Sequence, residues 1–462
     1  MVAYADPNHF PETTPAMNDL TLPLSGLSSV RGKAVVARFD GGMLSSNSGV
    51  LALAEVEKRL RVAERLACCI GDPRCPDQTV HSLADIIGFR MKMIAAGYED
   101  GNDANRLRSD PIFKMAQDAL PSGRDLASQS TMCRLENLPD VRELVAMGRA
   151  MVDLYCASFR QVPKRIVLDI DDTFDAVHGG QQLRLFNAHH NEYGFQPIVV
   201  FDGDGRFVGA ILRPAKRPSG AEIRPHLRRL VRAIRSNWPN TRILIRADSH
   251  YCSPPVIDWC RANGVDFILG LAPTTTLRKH VADLEASTMA RFEASAKTGK
   301  VRRFKEFLDG ADSWSRVERI IARVEVGAQG TDTRFIVTNL AGGKAKALYA
   351  DLYCRRGAAE NHIKSWKTHL AADRTSCSRA TANQFRLFLH AGAYWLMWGL
   401  RTAMPKRSSF AVAQFDTLRL RLIKIAARVV EMKTQIRLHL PTSCPDQRIL
   451  RIVLSRIPQL AT

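Results

Sequence analysis

Between residues 163 and 271 short apolar runs rich in β-branched residues alternate with helical stretches, and this limits the fold more than any other feature. RIVLDID, over 165–171, reads as a buried strand that ends in acids. PIVVFD (197–202) and RFVGAIL (206–212) flank Asp202-Gly203-Asp204-Gly205 and read as a hairpin with a glycine-containing turn. A basic amphipathic helix is expected over 220–236. Leu227, Leu230, Val231 and Ile234 face inward, and Arg224, Arg228, Arg229, Arg232 and Arg235 lie on the other face. A strand over 242–248, a helix around 253–263 and a strand over 265–270 complete the block. Hairpin, helix, strand, helix and strand in this order predict a mixed α/β sheet with helical crossovers.

Acids sit where these strands end. Asp171 closes the first, in LDIDDT, and Asp248 closes a later one, in LIRADSHY. A carboxylate beside an apolar run is costly unless its charge is compensated, and a divalent cation is one form of compensation. Asp169 and Asp171 share a face by strand alternation, so either can serve. Asp171 is preferred because it lies nearer the strand's C-terminal end, where open α/β sheets build their sites.

A third acid lies in DLYCRRGAAENHIKSWKTHL, which has few helix breakers and reads as one helix. Tyr353, Arg356, Glu360 and Lys367 then fall at i, i+3, i+7 and i+14 along one stripe, and Lys364 joins it one turn after the glutamate. A single carboxylate is thus set among a phenol and three cations. Three carboxylates in a setting poor in histidine suit hard cations, Mg²⁺ or Mn²⁺. As a trio they match a two-ion arrangement for phosphodiester chemistry.

The rest of the chain narrows the partners. It carries 66 Lys+Arg against 46 Asp+Glu, a formal charge of +20, and residues 401–462 alone hold 12 basic against 3 acidic side chains. That excess favours a polyanion, most simply DNA held through its phosphates. No apolar run approaches the roughly 20 residues of a membrane span. With no signal-peptide pattern at the start, a cytoplasmic, nucleoid-associated protein with no membrane contact is expected. Ten scattered cysteines fit no common zinc spacing. Neither a GxSxG elbow nor a GxxxxGK[ST] or GxGxxG loop occurs. Ahead of the sheet, a short strand is expected over Val35–Phe39, then a helix from SGVLALAEVEKRL capped by Ser48. Further helices are expected over 79–97, 103–119 and 139–159. The short helix of ASQSTMCRLENL offers Gln129, Thr131 and Arg134 to a partner.

The order Asp171, Asp248, Glu360 on strand, strand and helix resembles the DDE transposases of bacterial insertion sequences. The Tyr-x2-Arg-x3-Glu-x6-Lys spacing matches the Tyr-Arg-Glu-Lys signature of their group 1 type position for position. DDTFDAVHGGQ, RADS, LRPAKRPSG and the N-terminal GGMLSSNSGVLAL are similar to that type as well. Where such proteins usually show Gly-Asn after the arginine-proline pair, this chain has Ala215-Lys216. The resemblance implies an α/β, ribonuclease H-like mixed-sheet catalytic core with a β-rich insertion, flanked by a helical N-terminal region and a basic C-terminal region. It implies Asp171, Asp248 and Glu360 as catalytic and metal-binding residues for two Mg²⁺ (or Mn²⁺) ions, with Tyr353, Arg356 and Lys367 on DNA; Lys364, on the same stripe, is expected to join them there. The implied partners are transposon terminal inverted repeats and target DNA, held by a homodimer in the synaptic complex, and the implied reaction is cut-and-paste transposition. Two alternatives stay open: a host nuclease of the same fold, and an inactive DNA-binding protein derived from a transposase.

The expected organisation is a loosely attached N-terminus (1–30) followed by a mostly helical DNA-binding region (31–160). The core comes in two parts (161–272 and 346–400), separated by the insertion (273–345) and followed by the basic C-terminal region (401–462).

Overall fold

The apolar runs of the middle of the chain pair into one eight-stranded sheet in the computed structural model, which describes residues 24, 26–295 and 299–457. The loosely attached segment expected over 1–30 falls mostly outside them. The sheet's strands are β1 (Arg165–Asp172), β2 (Ile198–Asp202), β3 (Phe207–Ile211), β4 (Arg242–Ala247), β5 (Asp266–Leu271), β6 (Val301–Asp309), β7 (Glu318–Gly327) and β8 (Gly330–Thr338). Their spatial order is β6-β7-β8-β5-β4-β1-β2-β3. Within β1 to β5 only β2 runs against the others: it is antiparallel to β1 and β3, whereas β1–β4 and β4–β5 are parallel. β2 is buried at every residue, as a strand covered on both faces must be.

The stretch over 273–345 was expected as a β-rich insertion. Its three strands extend the same sheet, because β8 adds antiparallel to β5 with Phe335 opposite Leu271 and Thr338 opposite Ile268.

Helices cover the sheet. The longer ones are α1 (Val50–Leu60), α2 (Leu83–Ala95), α3 (Gln129–Glu136), α4 (Val141–Ala157), α5 (Gly220–Asn237), α6 (Pro254–Ala262), α7 (Thr275–Ala294), α8 (Gly357–Lys364) and α9 (Ala380–Thr402). Capping boxes at Ser82, Asp140 and Ser219 start α2, α4 and α5, each satisfying backbone donors that a helix start leaves open. α9 is the centre of the core. It is buried without interruption from Phe385 to Leu400 and packs on α1, α2, α4 and β3, as a helix apolar on all sides must.

Two N-terminal expectations are corrected. No strand forms over 35–39: one backbone bond, from Leu24 N to Ala37 O at 2.8 Å, reaches the run without making a ladder, and Val36 and Phe39 are exposed. A β-branched run becomes a strand only where a partner ladder is present, and here the pairing falls later, at Leu44–Ser45 against Ala427–Arg428. Nor does Ser48 cap α1; the cap position belongs to Gly49, with no side-chain cap bond.

Backbone approach explains the glycine. Gly49 N donates to Ile423 O at 3.2 Å and Ser48 N donates to Ile425 O at 3.0 Å, so α1 starts against the C-terminal region. A Cβ at Gly49 would lie 2.6 Å from Ile423 Cα and 2.7 Å from Leu422 C. Backbone cannot swing aside as a side-chain tip can, so Gly49→Ala is expected to destabilise at the upper end of the overpacking range, about 3 kcal/mol. Thermal unfolding of the variant checks this, and an unchanged midpoint would show that the two segments do not meet.

Candidate active site

Strand register sets the first two acids side by side. β1 and β4 are parallel with Asp169 opposite Arg246 and Ile170 opposite Ala247, so one further step brings Asp171 beside Asp248, just past the end of β4. Alternation turns Asp169 and Asp171 to one face, but their surroundings differ. Asp169 is buried and bidentate with Arg246: Nε donates to Oδ1 at 2.6 Å and Nη2 to Oδ2 at 2.7 Å. The same guanidinium donates from Nη1 to Leu352 O at 2.6 Å. Asp169 therefore serves as the anchor of Arg246, which in turn ties the segment around residue 352 to the sheet.

Asp171 keeps its face toward a cavity. Its Oδ1 accepts from Asp172 N at 3.0 Å and its Oδ2 from Arg356 Nη1 at 2.8 Å. Burial pushes its carboxyl up to about 6; the Arg356 charge opposes that rise, and the Asp248 charge adds to it. Asp248 caps the tight turn Ser249–Tyr251, accepting from His250 N at 2.9 Å, with His250 Nδ1 3.3 Å from its other oxygen. Asp172 lines the same cavity, and its carboxylate accepts from the Tyr251 hydroxyl and the Gln196 amide.

The segment expected as one uniform helix is continuous but irregular. A π-helical stretch (Ala347–Tyr353), a 3₁₀ turn (Cys354–Arg356), α8 and a second π-helical stretch (Ser365–His369) follow one another. The changes of pitch split the predicted stripe. Arg356 meets Asp171, and a Cβ built on Gly270 of β5 would lie 2.7 Å from the Tyr353 hydroxyl. Lys367 Nζ donates to Thr173 Oγ1 at 3.2 Å and to Phe174 O, and lies 3.4 Å from Asp175. Glu360 and Lys364 are exposed and do not line the cavity that holds Asp171 and Asp248. Among the described residues no three His, Cys, Asp or Glu side chains form a group able to hold a metal ion. The structure thus brings two of the three acids together and leaves the third apart.

The family model "Transposase DDE domain group 1" matches residues 27–462. The chain belongs to that family. No curated protein matches it. Among solved structures, a cryo-EM structure of the piggyBac transposase synaptic complex with hairpin DNA matches at 12% identity and a TM-score of 0.37, over 88% of this chain and 85% of that one. A likeness at that level carries no argument about fold or chemistry.

In this DDE transposase domain the cavity measures about 940 Å³ and has a wall that the sequence pattern did not reveal. Asp175–Ala176, Leu185–Asn187 and Glu192–Phe195 form a three-stranded sheet whose turn brings Phe186, His189 and His190 to the cavity, with His190 stacked on Phe174 at 4.0 Å. The available signal was the aromatic pair Phe186 and Tyr193 on either side of Asn187 and Asn191, both residues that favour tight turns. His362 is driven down to about 4 by burial and then by Arg401, and packs on Gly205 and Phe201.

The fit to a divalent cation rests on Asp171 and Asp248. They offer hard oxygens across a polar cavity, and the raised Asp171 carboxyl reflects charge that the site holds with difficulty.

Asp175 gives a separate pH prediction. It is fully buried beside Lys367, and burial pushes its carboxyl up to about 7 against the opposing Lys367 charge. A raised folded-state value means its contribution to stability is complete below the ordinary carboxylate range and is lost as pH rises through about 7. The melting temperature is expected to fall between about pH 4 and about pH 7 and to level off above that, and Asp175→Asn should flatten part of that fall. An unchanged slope in the variant would show that Asp175 ionises freely.

Proposed function

We propose that the protein is a DNA transposase that binds the ends of a bacterial insertion sequence and moves it by cut-and-paste. The adjacency of Asp171 and Asp248 at the tips of neighbouring parallel strands carries this reading. The order β3-β2-β1-β4-β5, with β2 alone reversed, supports a ribonuclease H-like core, and the aspartates stand at the carboxyl ends of its strands. Asp171, Asp248 and Glu360 are the proposed ligands. When bound, a Mg²⁺ pair would supply an activated water or 3′-hydroxyl and stabilise the leaving oxygen.

The side chains have distinct tasks. Asp171 and Asp248 fix the geometry, held by β1, β4 and the cap at Ser249–Tyr251. Arg356 neutralises Asp171 in the resting chain and is assigned to a DNA phosphate in the working complex, where its planar fork suits two phosphate oxygens. Glu360, one turn beyond Arg356, joins the aspartates as Arg356 leaves, and the irregular pitch on either side of α8 gives the segment room to turn. Tyr353, Lys364 and Lys367 are assigned to the DNA strand near the cut. Terminal inverted repeats, target DNA and a homodimeric synaptic complex complete the proposal.

Nicking of a labelled end duplex with Mg²⁺ tests the assignment of the glutamate. Glu360→Gln is expected to bind DNA as the wild type does and to lose nicking, whereas nicking at the wild-type rate would remove Glu360 from the site. DNA affinity should also fall steeply with salt, because phosphate contacts dominate its free energy. A binding isotherm unchanged between 50 and about 200 mM salt would contradict a phosphate-held complex.

A further inference from the structure

Most of the basic face of α5 has no role in the site described above; Arg235, at its end, donates to Asn263 O at 2.7 Å and Gly264 O at 3.2 Å. The inner side of α5 is buried through Ile223, Leu227, Val231 and Ile234, so the helix is held firmly against the sheet. On its outer side Arg224, Arg228 and Arg232 are exposed at i, i+4 and i+8, and none forms a hydrogen bond or ion pair among the described residues. With a rise of 1.5 Å per residue these charges are about 6 Å apart along about 12 Å of helix. By contrast, Arg213 pairs with Glu222, Arg261 with Glu318 and Arg242 with Asp266. Like charges one turn apart repel, so a row without acids destabilises its own helix unless an anion covers it.

The position of the row supplies direction. β3 is parallel to β1 and ends at the cavity end of the sheet, with Ile211 opposite Ile198, which in turn lies opposite Asp172. The chain then passes Lys216 and Arg217, which line the cavity, and enters α5 at Gly220. α5 runs from there back to the far end, where β4 begins with Arg242 opposite Arg165. Positive charge therefore leads out of the cavity over Lys216 and Arg217 and continues down the side of the molecule over Arg224, Arg228 and Arg232. His226, on the same helix, is pushed down to about 4 by burial and then by Arg229 and Arg213.

We propose that this row holds the phosphate backbone of the duplex that continues from the strand lying in the cavity, so that the bound DNA leaves the site along α5. The proposal rests on the transposase reading. Continuity favours one continuous duplex over a separate one, because Lys216 and Arg217 stand between the cavity and the row, and the one acid between them, Glu222, is already held by Arg213 and Lys216.

The test compares two end duplexes, one ending just beyond the cleavage position so that the scissile bond is present, and one continuing about one helical turn further, on the wild type and on the triple variant Arg224→Ala/Arg228→Ala/Arg232→Ala. The wild type is expected to bind the longer duplex more tightly, and the variant to lose that gain while binding the short duplex normally. The slope of log affinity against log salt on the longer duplex should fall by about 2.7, for three phosphates at about 0.9 each. Equal binding and an equal slope in both proteins would overturn the proposal. So would a gain that an unlinked duplex restores to the short end, since the row would then hold a second DNA molecule. Nicking of the short duplex keeps the two readings apart: it should survive in the triple variant, whereas its absence in the wild type would count against the transposase reading itself. Unfolding midpoints of the two proteins identify any general loss of structure.

Discussion

Asp171→Asn and Asp248→Asn are each expected to lower Mg²⁺-dependent nicking by about 10³-fold or more while leaving DNA binding near the wild-type level. The size follows from the several kcal/mol that a correctly held ion contributes to phosphodiester cleavage, at 1.36 kcal/mol per tenfold in rate. Binding survives because it comes from phosphate contacts, and removing a negative charge beside a polyanion does not weaken them. Asp169→Asn is the informative control. Asp169 lies on the same face of β1 but is held by Arg246, so its substitution should lower stability and leave the folded fraction able to nick. Rate loss in Asp169→Asn matching that of Asp171→Asn, with unfolding unchanged, would reverse the assignment of the two aspartates.

Arg246→Met is expected to produce the largest stability loss, about 3–5 kcal/mol, because it leaves Asp169 charged, buried and without its partner. It also frees Leu352 O, which accepts from the same guanidinium, so the segment leading to Arg356 and Glu360 loses its tie to the sheet. The double variant Asp169→Leu/Arg246→Met should recover much of the stability, since a well-packed apolar pair can replace a buried ion pair at little cost. It should not recover activity to the same degree, because Leu352 stays untied. A urea midpoint for Arg246→Met equal to that of the wild type would show that the pair contributes little.

Much of this architecture is legible in the sequence because burial on both faces demands near-continuous apolar runs. RIVLDIDD, IVVFD and RILIRA are such runs, and their acids mark where they end. The role of Asp169 is not legible. It depends on the register between two parallel strands more than seventy residues apart, which no local periodicity records. The wall over 175–195 stayed hidden because strands of two to four residues carry too few alternations to register. Glu360 shows a third kind of limit. Composition predicts that 347–369 is helical, but a change of pitch within a continuous helix leaves no mark on composition, and a change of about 20° per residue decides which side chains share a face. At Val35–Phe39 the local preference was real and the partner strand was missing.

The most direct test of the account is a structure of the chain bound to end DNA and soaked with Mn²⁺, with anomalous scattering used to find the ions. The account predicts two ions about 3.5–4 Å apart, touched by Asp171, Asp248 and a repositioned Glu360, with Arg356 moved from Asp171 onto a phosphate. Ions bound away from both aspartates, or Arg356 still paired with Asp171 while DNA fills the cavity, would contradict it.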